Sequence, residues 1–89
     1  MDREKATEIV KQMSKVCGID LRKSSLMLMP PNAEGIPSNG DQLHVTTELN
    51  FGSRICLYAI MDEHKLKFKE KPEKIIIIEP PMTPTSPQP

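Results

Sequence analysis

The chain has 89 residues, which is room for one domain with a thin core. Twelve Lys and Arg balance twelve Asp and Glu, so there is no net field to draw in nucleic acid or an anionic membrane. Trp is absent and aromatics are scarce, so Met and Ile carry the apolar load, and Met-rich surfaces mould readily to a partner.

Asp2 can cap a helix. Behind it, Ala6, Ile9, Val10, Met13 and Val16 or Cys17 fall on one stripe at helical period, and Gly18 stands where a left-handed cap wants glycine. The spacing predicts a helix over about residues 3–17. Ser24-Ser25-Leu26-Met27-Leu28-Met29 is too short for a buried helix and is closed by Pro30-Pro31, so it reads as a strand. Residues 30–41 are rich in turn formers and read as a long loop with room for one helical turn.

From Gln42 to Leu49, Leu43, Val45, Thr47 and Leu49 alternate with His44, Thr46 and Glu48, the pattern of a half-buried strand. Asn50-Phe51-Gly52-Ser53 reads as a turn, and Arg54–Met61, apolar on both faces, as a central strand. Leu66 and Phe68 alternate with Lys67 and Lys69 on a solvent-facing strand, and Ile75–Ile78 reads as a strand covered on both sides. The expected product is an α+β fold over residues 1–79. Its N-terminal helix packs on one mostly antiparallel sheet of about five strands. Residues 80–89 are Pro-rich, lack periodicity and are expected to be a disordered tail.

Cys17 and Cys56 stand far apart with no paired spacing, so two buried reduced thiols are expected rather than a disulfide framework or a metal site. There is no apolar leader and no run long enough to span a bilayer, so the expected location is cytoplasmic. No nucleophile–base set can be named. His44, on the polar face of a strand, and His64, in a turn, read as surface residues, so neither catalysis nor a cofactor is expected. The alternating Lys65–Lys74 run lacks the aromatic platforms of a nucleic-acid surface.

The informative segment is Ser24–Pro31. Leu26 and Leu28 take one face of that strand, and Met27 and Met29 the other. At a sheet edge such a strand is a natural docking site, with hydroxyls at Ser24 and Ser25 and an apolar pocket behind.

In order and apolar pattern, the helix, the Ser25–Pro30 strand, Asp41–Thr46, Ile55–Tyr58 and Ile75–Ile78 resemble the phage uracil-DNA glycosylase inhibitor family over about residues 7–79. The resemblance implies a DNA mimic. Its first strand enters the enzyme's DNA-binding cleft, and an apolar cavity captures the leucine that the enzyme inserts into duplex DNA. Ser24 and Ser25 would occupy the entering strand, with Leu26 in the same edge. Met27 or Met29, Val45, Leu57 and Ile77 would be cavity candidates. The family's strand motif opens with an acid and the family is strongly acidic. Here Ser24 stands in that place and the chain is neutral, so a weaker salt dependence is expected. The other class compatible with the sequence is an adaptor, binding by its strand edge or by the Thr83-Pro84 and Ser86-Pro87 dipeptides of the tail.

Overall fold

The computed structural model describes residues 1–22 and 25–81; Ser24 and the tail beyond Pro81 lie outside them. Helix α1 (Arg3–Lys15) begins where the Asp2 carboxylate accepts the Lys5 N–H at 2.8 Å. It buries Ala6, Ile9 and Met13 and ends before Gly18, whose φ of +65° only glycine adopts without cost. Strand β1 (Leu26–Met29) pairs antiparallel with β2 (Gln42–Val45). After helix α2 (Phe51–Glu63) come β3 (Lys67–Lys71) and β4 (Lys74–Ile78), which form a hairpin. The sheet order is β1-β2-β4-β3 and every pairing is antiparallel, which makes the fold α+β with four strands.

The strand expected over Arg54–Met61 is instead part of α2. Asn50 is not a turn residue but an N-cap, its side-chain oxygen accepting the Ser53 N–H at 2.8 Å. Leu57, Ile60 and Met61, at i, i+3 and i+4, go into the core. Ile55 and Phe51 stay outside, and this is why the segment looked apolar on both faces. Strand β2 accordingly stops at Val45, four residues short of the expected end, and residues 46–50 turn into the helix.

The register assigns the two faces of the sheet. Leu26 and Leu28, Leu43 and Val45, and Ile75 and Ile77 share the face under both helices. With Ile9, Met13, Leu57, Met61, Ile19 and Leu66 they form one core. Met27, His44, Ile76 and Lys69 lie in a row on the opposite face.

That second face is crossed by residues 30–41, whose helical turn is a single 3-10 turn at Ala33–Gly35. Gln42, wholly buried, donates from Nε2 to the Ala33 and Ile36 carbonyls (3.3 and 2.8 Å) and ties the crossing segment down. Met1 is buried in the core with Ile9 and Met13, and its amino group donates to the carbonyls of Asn39 and Asp41 at the end of that segment, the latter at 2.7 Å. Gly40 permits that approach. Its φ is +74°, and a Cβ there would stand 3.0 Å from the Met1 carbonyl oxygen.

Cys17 and Cys56 are not reduced thiols. They form a disulfide that joins the end of α1 to α2, with Cα atoms 5.6 Å apart. The two positions are 39 residues apart in sequence but adjacent once both helices lie on one sheet face. On the chain-entropy account, closing a loop of that size stabilises the fold by about 4 kcal/mol.

Candidate protein-docking edge

β1 and β3 are the two edge strands, and they are treated differently. β3 carries Lys67, Lys69 and Lys71, charges that discourage another strand from pairing there. β1 is Leu-Met-Leu-Met, with no charge at all, and Met27 is 57% exposed. Its outer edge has no partner strand among the described residues.

The Thr46 N–H donates to the Ser25 carbonyl at 2.9 Å, which makes Ser25 and Thr46 a hydrogen-bonded pair. In an antiparallel ladder such pairs alternate, so Met27 with His44 and Met29 with Gln42 are bonded too. The N–H and C=O groups of Leu26 and Leu28 therefore point away from β2, along the open edge.

Beside that edge lies a groove of about 560 Å³ between α1 and β1. Ala6, Val10, Leu28 and Leu43 form its apolar floor, and Thr7 lies on its rim with Arg3 and Lys11. Every charged residue lining the groove is a cation, and neither Arg3 nor Lys11 enters an ion pair among the described residues.

The structure separates the residues singled out from the sequence. Ser25, Leu26, Met27 and Met29 stand together at the edge, with Met29 half-buried on the face that carries Gln42. Ser24 lies outside the described residues. Val45, Leu57 and Ile77 are closed into the core and present no surface to a partner. The apolar groove that does open beside β1 is built with α1 residues, Ala6 and Val10, that sequence reading assigned only to packing. The remaining signal was the mixed stripe Arg3, Thr7, Lys11 on the same helix.

Two other groups frame the molecule's electrostatics. His44 is not a surface residue: it is 3% exposed, with Nε2 2.8 Å from the Gln42 side-chain oxygen. Burial, then the nearby Lys74, lowers its pKa against the opposing pull of Glu34. Glu34, on the crossing segment, binds Lys71 at 2.8 Å and also Lys74, and these hydrogen bonds hold its carboxyl at about 2. At the far edge, Glu70 accepts from Tyr58 and from Arg54 (2.6 Å), which lowers its pKa and raises that of the tyrosine.

A polar cavity of about 540 Å³ lies between residues 46–50 and the β3–β4 hairpin. Its charged lining is balanced, with Arg54, Lys71 and Lys74 against Glu48, Glu70 and Glu73, so it selects no charge in a ligand. Phe51, Ile55 and Phe68 leave a second apolar surface on α2 and β3, 79%, 51% and 41% exposed. Among the described residues no group of three His, Cys, Asp or Glu converges to hold a metal, and no helix is long and apolar enough to cross a membrane.

No family model, curated protein or solved structure matches the chain.

Proposed function

We propose that this protein is a non-catalytic binding module that receives an extended segment of another protein on the open edge of β1. The observation that carries the reading is the edge itself: a chargeless Leu-Met-Leu-Met strand whose Leu26 and Leu28 backbone groups have no partner among the described residues, beside an apolar groove. Main-chain hydrogen bonds supply affinity in such strand addition, and the neighbouring pocket supplies selectivity.

The test is amide hydrogen exchange with a captured partner. In the free protein the Leu26 and Leu28 amides should exchange fast. Partner binding should protect both, and Thr7→Trp, which fills the groove from an exposed helix position, should abolish capture without unfolding the protein. Binding that leaves both amides fast would overturn the reading.

Inhibition of a uracil-DNA glycosylase is the more specific version. Its support is the resemblance in the order of the apolar segments and the place of Ser25–Met29 at a sheet edge, although Ile55–Tyr58, one of those segments, lies in α2 rather than in a strand. Against it stand the cations Arg3 and Lys11 beside that edge, since a basic, phosphate-binding cleft repels them. A uracil-excision assay with excess protein decides this version, and full activity across several glycosylases would eliminate it.

In the cytoplasm expected from the sequence, Cys17 and Cys56 would ordinarily be kept reduced. Their disulfide supports work in an oxidising compartment instead. Alkylation of freshly isolated protein, followed by mass measurement, reads the thiol state directly.

A further inference from the structure

Resting on the edge-docking reading, we infer that the received segment is acidic, with the pattern acid–x–apolar–x–acid. Arg3 and Lys11 stand at the rim of the groove, with its apolar floor at Ala6, Val10, Leu28 and Leu43 beside them. They are eight residues apart on α1, which at 1.5 Å per residue separates them by roughly 12 Å along the helix. An extended chain covers about 13 Å in four residues, and its side chains at i, i+2 and i+4 share one face. The proposed strand adds to β1 running along α1, with that face toward the groove, and so sets its central side chain over the apolar floor. The side chains two residues to either side reach Arg3 and Lys11. No acid lines the groove to repel carboxylates there. Both cations lie outside the described ion pairs, so neither must leave a partner to bind one. A basic segment would meet like charge at both ends.

The probe is the capped synthetic peptide Thr-Glu-Thr-Leu-Thr-Glu-Thr, compared with one in which both Glu are Lys and one in which Leu is Ser. Titration into labelled protein is followed by amide shifts and by exchange at Leu26 and Leu28. The acidic peptide should slow exchange at both amides. It should bind at least about tenfold tighter than the lysine peptide, and more weakly as salt rises. The serine peptide should lose most of the affinity. In the double variant Arg3→Glu, Lys11→Glu, placed on an exposed helix face, the preference should reverse.

Equal binding of the acidic and lysine peptides, or a preference that the double variant leaves unchanged, would overturn the inference. So would protection of Leu26 and Leu28 by a natural partner when no acidic peptide protects them, although the docking reading would then stand. Protection in the protein alone would remove both. If it grows with concentration the occupant is a second copy, and if it does not the occupant is the protein's own chain.

Discussion

Glu34 concentrates several effects in one residue. Its φ of +56° is a left-handed conformation that costs a residue with a Cβ about 1–2 kcal/mol. It is held there by the two lysines of the β3–β4 hairpin, and so the crossing segment is fastened over His44. Acid should undo this from two sides. His44 has a lowered pKa in the fold, so as pH falls below its ordinary 6.5 the unfolded chain takes up the proton first and stability drops. Glu34 titrates at about 2 in the fold against 4.5 ordinarily, so its contribution is lost as pH falls from 4.5 toward 2. Melting curves against pH should therefore decline continuously from near neutrality downward. Glu34→Gln should flatten the limb below 4.5 while keeping the limb due to His44; a variant curve parallel to the native one below 4.5 would refute the assignment. Gly40 is the other residue fixed by geometry. Gly40→Ala should lower stability in urea by about 1–2 kcal/mol from the left-handed backbone alone, with the Met1 clash added; an unchanged midpoint would contradict the close approach.

At the scale of elements, α1 and α2 bury comparable stripes, but only α1 declares itself. Its polar face is Arg3, Glu4, Thr7, Glu8 and Lys11, so period and boundary are both visible. In α2 the solvent side holds Phe51, Ile55 and Ala59, and apolar residues outside remove the contrast on which periodicity depends. Substitutions separate the two sides. Ile9→Ala and Leu57→Ala, both wholly buried, should each cost about 2–4 kcal/mol. Ile55→Ser should change stability by no more than about 0.5 kcal/mol, because its side chain is half in solvent. A large loss for Ile55→Ser would restore a central strand at this position, and calorimetry of the three variants suffices to decide. The contrast between edges belongs here too. Lys67, Lys69 and Lys71 guard β3, whereas β1 relies only on its shortness and on Pro30-Pro31.

For the whole molecule, the disulfide is a stabilising device comparable to one or two core side chains. A domain of this size holds only about 5 kcal/mol or slightly more in total, so a crosslink contributing about 4 kcal/mol decides whether it is folded at physiological temperature. Reduction by a dithiol, or the double variant Cys17→Ser, Cys56→Ser, should shift the chemical midpoint by a large fraction of its value and lower the melting temperature by well over ten degrees, roughly. A shift of only a degree or two would mean that the helices are held almost entirely by Ile9, Met13, Leu57 and Met61. Because the bond joins α1 to α2, and α1 is one wall of the groove, loss of the bond should also weaken binding at the β1 edge.

What the sequence determined by itself was local. Asp2, the Ala6–Met13 stripe and Gly18 set α1 through caps and period. Pro30-Pro31 ended β1, and the unbroken Ile75–Ile78 run marked a strand covered on both sides, which became β4 between β2 and β3. Leu26 to Met29 was legible as a strand with two apolar faces, since four large apolar side chains in a row cannot all point inward at period two. What tertiary structure alone decided was whatever depends on residues distant in the chain. The helical state of residues 51–63 follows from packing against α1 and β3, which outweighs a weak local preference. The burial of His44 follows from a segment folding back across the sheet, and the Cys17–Cys56 bond from two helices placed on one face. The groove is of this kind as well: one wall comes from residues 3–11 and the other from residues 26–28, and no spacing along the chain records their meeting.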